Sequence, residues 1–196
     1  MKVRSKLNLF DLTSIVYLIH CMIKGGTGGA KTNQNGLKFE KDVELANLLK
    51  SRGYRLVDND IGQILYLGED ELGILIKKHG LYRFLNSKGI DYKEYLSRRL
   101  LPDNAFLNFK NKTFYILEVK FQSGSGSVDE KLQTCHYKLR QYNKLLSKLN
   151  YKVEFSYVLN DWFKDSGYRD TLGYVEEAGC RYYFTELPSS DLGLPK

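Results

Sequence analysis

The spacing of hydrophobic residues changes along the chain between a helical period and a period of two, and these changes predict seven strands and several helices. The predicted strands are rich in β-branched and aromatic residues. They span residues 54–57, 61–67, 74–78, 105–109, 113–121, 151–159 and 180–185. A block of strands followed by alternating helices and strands favours an α/β fold with a mixed central β-sheet flanked by helices.

Helices are predicted where apolar residues recur at intervals of three and four. They span residues 35–52, 92–100, 128–149 and 169–178. Asn35 is a suitable N-cap for the first of these helices, and Gly53 ends it. The apolar side of that helix is predicted to be Leu37, Val43, Ala46 and Leu49. The core side of the helix at 128–149 is predicted to be Leu132, Leu139, Tyr142 and Leu146.

The first 24 residues are interpreted as an N-terminal helix for packing or dimer contact. Basic residues precede an apolar run at 15–23, as they do in a secretory signal, but Asp11 interrupts the pattern. The run is also too short to span a bilayer. Since the sequence contains no internal repeat and no clear linker, we interpret residues 1–196 as a single domain without a membrane-spanning segment.

The charge balance favours a polyanionic partner. The chain has 30 Lys and Arg against 23 Asp and Glu, a formal net charge of +7, and a pI of about 9.1. This balance is typical of proteins that bind nucleic acid. Its three cysteines include no C-x-x-C pair, which argues against a zinc site and indicates a reducing cytoplasm. No Gly-Lys-Ser/Thr follows the glycines at 25–29, so we expect no nucleotide cofactor.

The strand at 113–121 contains the residues that indicate chemistry. A period of two places Glu118 and Lys120 on the same face as Phe114 and Ile116, and the intervening residues on the other face. Burying two charges on an apolar strand is costly unless they pair or bind a metal. Asp103, at the start of the preceding strand, is predicted to lie opposite Glu118 in a hairpin.

Two carboxylates and one backbone carbonyl make a set of hard oxygen ligands. We therefore predict that Asp103, Glu118 and the carbonyl of Val119 bind Mg²⁺, and that Mn²⁺ can substitute for it. The nearby Lys120 ammonium is suited to position or help deprotonate an attacking water and to stabilise charge on a phosphate in the transition state.

Pro102-Asp103, a gap of fourteen residues, and Glu118-Val119-Lys120 resemble the motif of the PD-(D/E)XK nuclease superfamily. Residues 28–40, 126–135 and 157–163 are similar to segments of bacterial type II restriction endonucleases, so the resemblance covers most of the chain from about residue 25. It implies a restriction-endonuclease-like core, a prokaryotic cytoplasm, Asp103 and Glu118 as metal ligands and Lys120 as the catalytic lysine. It further implies Glu40 as an accessory acid, with a solvated helix residue as the alternative.

The segment from Gln122 to Lys131 is predicted to contact DNA because it leaves the strand that contains Glu118 and Lys120. Ser123, Ser125 and Ser127 offer small hydroxyls between glycines, which allow close approach to a groove or a phosphate. Lys131 is suited to reach a phosphate or a guanine edge. The alternative is a connection that only joins the strand to the following helix.

The leading functional hypothesis is a type II restriction endonuclease that cuts double-stranded DNA at a short specific sequence. We expect it to act as a homodimer, because one centre per chain must cut two strands. One alternative is a repair or junction-resolving nuclease with the same metal centre. The other is a basic DNA-binding module in which Glu118 and Lys120 form a structural ion pair.

Overall fold

Seven strands of the described residues lie side by side in the same order as in the sequence. The computed structural model describes residues 28–124 and 128–195. The strands from β1 to β5 pair antiparallel with their neighbours, whereas β5, β6 and β7 are parallel. They are β1 (Arg55–Asp58), β2 (Gln63–Leu67), β3 (Asp70–Ile76), β4 (Asn104–Asn108), β5 (Thr113–Lys120), β6 (Lys152–Leu159) and β7 (Arg181–Phe184). The predicted mixed α/β sheet with flanking helices is confirmed.

The helices lie before and between the strands. They are α1 (Gly28–Asp42), α2 (Leu45–Ser51), α3 (Gly80–Ser87), α4 (Val128–Leu132), α5 (Cys135–Leu146) and α6 (Arg169–Glu177). Short 3₁₀ turns follow several of them, among them Tyr92–Glu94 and Ser147–Leu149. The predicted N-terminal helix falls outside the described residues. In the part of the chain that is described, no helix has the length and apolar character needed to cross a membrane.

Three predicted helices differ from the structure. The helix predicted at 35–52 is two helices, α1 and α2; Asn35 lies inside α1, and Leu37 is 61% exposed. The helix predicted at 92–100 is only a 3₁₀ turn at Tyr92–Glu94. The backbone N–H of Lys93 in this turn donates a hydrogen bond to the Asp91 side chain. The helix predicted at 128–149 is interrupted after Leu132 and resumes at Cys135 as α5.

The sheet is covered on both faces, and β5 contributes to both cores. Phe114 and Ile116 belong to the core formed with α3, α5 and α6, whereas Tyr115 and Leu117 belong to the core formed with α2 and the C-terminal segment. This alternation confirms the predicted period of two in β5. The side chains that α3, α5 and α6 bury in the first core include Leu81, Phe84, Leu85, Cys135, Tyr142, Leu146, Leu172 and Val175.

A close backbone approach within the sheet depends on one glycine. Gly73 in β3 has so little room that an added Cβ would lie 2.2 Å from the carbonyl oxygen of Leu107 and 2.6 Å from the Phe106 ring. Real Cβ atoms do not approach other atoms so closely, so Gly73 allows β3 and β4 to pack together here. Any side chain at this position would push the two strands apart.

Candidate active site

The β4–β5 hairpin brings Asp103 and Glu118 together at one end of the sheet. Asn104 pairs with Leu117 in the antiparallel register, so Asp103 lies opposite Glu118 one step further along. At the other end, the side-chain oxygen of Asn108 accepts hydrogen bonds from two backbone N–H groups of the turn, which fixes the register of the hairpin. The arrangement predicted for these two carboxylates is therefore present.

Three oxygen atoms surround the ammonium group of Lys120. Its Nζ lies 2.9 Å from Oε2 of Glu118, 3.0 Å from the carbonyl oxygen of Val119 and 3.7 Å from Oδ2 of Asp103. The same Oδ2 of Asp103 accepts a hydrogen bond of 3.0 Å from the backbone N–H of Val119. The Asp103 carboxylate is thus fixed against the end of β5, and the three predicted ligand groups converge on one cation.

A second lysine reaches the same carboxylate from the helix layer. Lys138 of α5 donates a hydrogen bond of 2.9 Å to Oε2 of Glu118. Sequence reasoning missed Lys138, although a signal was present. Lys138 lies three residues after Cys135 and four before Tyr142, and both of those residues are fully buried. A lysine at this helical spacing points towards the sheet, where it needs a partner.

The environment keeps Glu118 ionised. The residue is 6% exposed, and burial alone would raise the pKa of its carboxyl group. The charges of Lys120 and Lys138, together with their hydrogen bonds, outweigh this effect and hold the pKa of Glu118 below its ordinary value. Burial, followed by the charge of Glu118, raises the pKa of the neighbouring Tyr142 phenol, so that hydroxyl stays protonated beside the carboxylates.

The end of β5 is tied to the end of β6 by one side chain. Asn160 follows β6 directly; its Oδ1 accepts a hydrogen bond of 3.0 Å from the N–H of Gln122, and its Nδ2 donates one of 2.9 Å to the carbonyl of Gln122. Because β5 and β6 are parallel, both strands end at this edge. Ligand sites of open α/β sheets lie beyond the carboxyl ends of the strands. Asp103, Glu118 and Lys120 lie at such an edge.

The oxygen atoms of this cluster fit a Mg²⁺ ion. The Lys120 ammonium shows that these oxygens converge, since it lies beside the carboxylates of Asp103 and Glu118 and the carbonyl of Val119. Mg²⁺ prefers such hard oxygen ligands and keeps several coordination positions for water and phosphate. Among the side chains that the structure describes, no group of three or more His, Cys, Asp or Glu is placed to hold a metal. Asp103 and Glu118 are the two described carboxylates that meet at Lys120.

Glu40 lies in α1 next to Phe39, whose ring packs against Phe121 just after β5. Phe39 packs on Phe121 with ring centroids 5.7 Å apart, and Gly36 approaches the same ring. Glu40 follows Phe39 and is partly buried. Among the described residues, no hydrogen bond or ion pair links Glu40 to Asp103. Its role as an accessory acid stays a prediction.

The segment predicted to contact DNA is only partly described. Gln122 is 4% exposed, and its Nε2 donates to the carbonyl of Gly124, so this side chain holds the turn and is not presented to solvent. Ser123 and Lys131 are exposed. Ser125 and Ser127 lie outside the described residues. Of the five predicted DNA contacts, Ser123 and Lys131 are therefore the described residues whose side chains are accessible.

Comparison with known proteins adds no family to these observations. No protein-family model matches the chain, and neither curated proteins nor solved structures give a significant match.

Proposed function

We propose that the protein is a Mg²⁺-dependent endonuclease of the type II restriction class, which hydrolyses phosphodiester bonds of double-stranded DNA at a short specific sequence. The observation that supports this proposal best is the convergence of Asp103, Glu118 and the Val119 carbonyl on the ammonium of Lys120. The net charge of +7 favours a polyanionic substrate. The resemblance of Pro102-Asp103 and Glu118-Val119-Lys120 to the PD-(D/E)XK motif agrees with both.

In the proposed reaction, a Mg²⁺ ion bound by the two carboxylates would neutralise phosphate charge and activate water. Asp103 is oriented for this role by its bond to the N–H of Val119. Glu118 is held ionised by the neighbouring lysines. Lys120 orients the attacking water and stabilises the negative charge that develops on the phosphate oxygens. Hydrogen bonds at the end of β5 hold these groups in place before DNA arrives.

Cleavage of phage DNA tests the proposal directly. Purified protein should cut linear duplex into discrete fragments with Mg²⁺ or Mn²⁺, and excess EDTA should stop the reaction. Asp103→Asn, Glu118→Gln and Lys120→Met should each lower the rate by about a hundredfold or more, because each removes charge or a ligand from the transition state. Sequencing of the fragment ends would give the recognition site.

Glu154 provides a matched control for Glu118. It is also a partly buried carboxylate held by two cations, with Lys152 at 2.7 Å and Arg181 at 3.1 Å, but it lies three residues before Tyr157, the β6 partner of Glu118. Glu154→Gln should cleave at the wild-type rate. Equal activity in Glu118→Gln and Glu154→Gln would contradict the proposed centre. Cleavage limited to branched DNA would indicate a junction-resolving nuclease, and binding without cleavage would indicate a DNA-binding module.

We further propose that two chains act together on the duplex. The described residues contain one centre of this kind, and a two-fold dimer matches a palindromic site. Sedimentation of the DNA complex should show two chains per duplex; one chain would contradict this assembly. Lys131→Ala should weaken DNA binding at every sequence if Lys131 contacts a phosphate, and should reduce preference for the cognate site if it contacts a base.

A further inference from the structure

Two lysines share a single carboxylate oxygen in this centre. Lys120 and Lys138 both donate to Oε2 of Glu118, each at 2.9 Å. With Asp103, the cluster holds two negative and two positive charges, and its formal charge is zero. A divalent ion on Glu118 would therefore compete with the two ammonium groups that already hold this oxygen.

Lys138 is the lysine that is held less firmly. Lys120 has the Val119 carbonyl and the nearby Asp103 carboxylate in addition to Glu118. Within the described residues, the Nζ of Lys138 has one hydrogen-bond partner, Oε2 of Glu118. The Lys138 side chain is also more exposed, at 24% against 17% for Lys120. Displacing Lys138 from Glu118 thus breaks one hydrogen bond, whereas displacing Lys120 breaks two.

The charge count indicates where a displaced Lys138 would go. Metal binding raises the formal charge of the cluster from zero to plus two while Lys138 stays, and to plus one once Lys138 has left, which favours an anion beside it. A DNA phosphate is such an anion, and a lysine on a partly exposed helix face can bind it. The side chain needs only to rotate away from Glu118, because α5 remains packed through Cys135 and Tyr142.

We propose that Lys138 competes with the metal for Glu118 and is transferred to a DNA phosphate when the metal binds. This inference rests on the proposed function and adds to it a residue that couples metal binding to DNA binding. A purely structural Lys138 would only support the fold. The two roles predict opposite effects of Lys138 on metal affinity in the absence of DNA. A competing lysine weakens metal binding, whereas a structural lysine that orders Glu118 strengthens it.

Titration calorimetry with Mn²⁺ on the DNA-free protein tests the competition. Lys138→Met should tighten Mn²⁺ binding by about tenfold, the effect of removing one charge-assisted hydrogen bond that the ion must otherwise break. Lys138→Arg should leave the affinity close to that of the wild type. Lys144→Met removes a lysine from an exposed position of the same helix and should change nothing. Lys138→Gln, which keeps a neutral hydrogen-bond donor, repeats the test if the Met variant does not fold.

The affinity for labelled duplex DNA tests the transfer, in a Lys120→Met background that prevents cleavage. Adding Lys138→Met should weaken binding by about tenfold in Mn²⁺ and have little effect in EDTA, since Lys138 then remains on Glu118. An effect of equal size in both conditions would contradict the transfer.

The outcomes also separate this inference from the proposed function. If Glu118→Gln and the wild type bind Mn²⁺ equally, or neither binds it, the metal centre and the inference both fail. If Mn²⁺ binding depends on Glu118 but is unchanged or weakened by Lys138→Met, the inference fails and the proposed function stands.

Discussion

Glu118→Gln should destabilise the folded protein, because it leaves two ammonium groups beside a neutral amide. The Glu118 side chain is only 8% exposed, and breaking a buried ion pair by removing one partner costs about 3–5 kcal/mol. Lys120 and Lys138 are partly solvated, at 17% and 24% exposure, so the lower end of that range applies. We expect the free energy of unfolding to fall by about 3 kcal/mol.

A double variant isolates the cause of this loss. Glu118→Gln with Lys138→Met removes one of the two stranded charges, so the double variant should recover about half of the lost stability. The control Glu154→Gln should cost less than about 1 kcal/mol, since its partners Lys152 and Arg181 are 68% and 53% exposed. Urea unfolding followed by far-UV circular dichroism, in EDTA, measures all of these values.

The lowered pKa of Glu118 predicts that its contribution to stability depends on pH. The pKa of Glu118 in the folded protein lies below its ordinary value of 4.5, so its stabilising contribution is complete at neutral pH. That contribution is lost as the pH falls below 4.5 and the folded carboxylate takes up a proton. The stability difference between the wild type and Glu118→Gln should be flat near neutral pH and shrink in acid. A Glu118→Gln variant as stable as the wild type, or a double variant less stable than the single one, would refute the reasoning.

Further variants test other parts of the structure. Asn160→Ala should lower the free energy of unfolding by about 2 kcal/mol, because the buried Gln122 peptide loses both of its hydrogen bonds to the Asn160 side chain. An unchanged midpoint of urea unfolding would show that water replaces these two hydrogen bonds. Gly73→Ala should destabilise the protein by about 2 kcal/mol through overpacking. Gly173→Ala, in α6 with open space around it, should stabilise the protein slightly, and thermal unfolding measures both variants. Glu40→Ala should slow cleavage less than Glu118→Gln does, and a wild-type rate would make it a surface residue.

Much of the candidate site follows from local sequence pattern. The alternation in β5 fixes which side chains share a face, and a short antiparallel hairpin fixes what lies opposite Glu118. Both relations depend on residues close in sequence. For that reason Asp103, Glu118 and Lys120 could be brought together without knowledge of the rest of the fold.

The helical spacing around Lys138 indicates that it faces the sheet, but its partner Glu118 is distant in sequence, so local pattern alone does not pair the two. A continuous helix from 128 to 149 puts Leu139 in the middle of the apolar side. In the structure α5 begins at Cys135, and Cys135 is the fully buried residue, whereas Leu139 is only partly buried. The break after Leu132 coincides with tertiary hydrogen bonds, in which the Tyr157 hydroxyl of β6 donates to the carbonyls of Lys131 and Leu132. Such contacts between distant residues override local periodicity.

Helix α3 is present in the structure but is not predicted from the sequence, for a similar reason. Its eight residues form an apolar face too short to stand out in a longer window, and its buried Leu81 and Leu85 are fixed by packing on the sheet. A helix is predicted further along, at 92–100, but Leu96 packs in the core outside any helix.

The chain-order arrangement of the sheet has a consequence for folding. The β1–β2, β2–β3 and β4–β5 pairs are antiparallel and joined by short turns, so their contacts are local and close loops at small entropic cost, whereas the antiparallel β3–β4 pair must wait for the segment that contains α3. The β5–β6 pair is parallel and must wait for the crossover through α4 and α5. The hairpin with Asp103 and Glu118 can therefore form early, whereas Lys138 and Asn160 join it only when the slower, non-local half of the sheet has assembled.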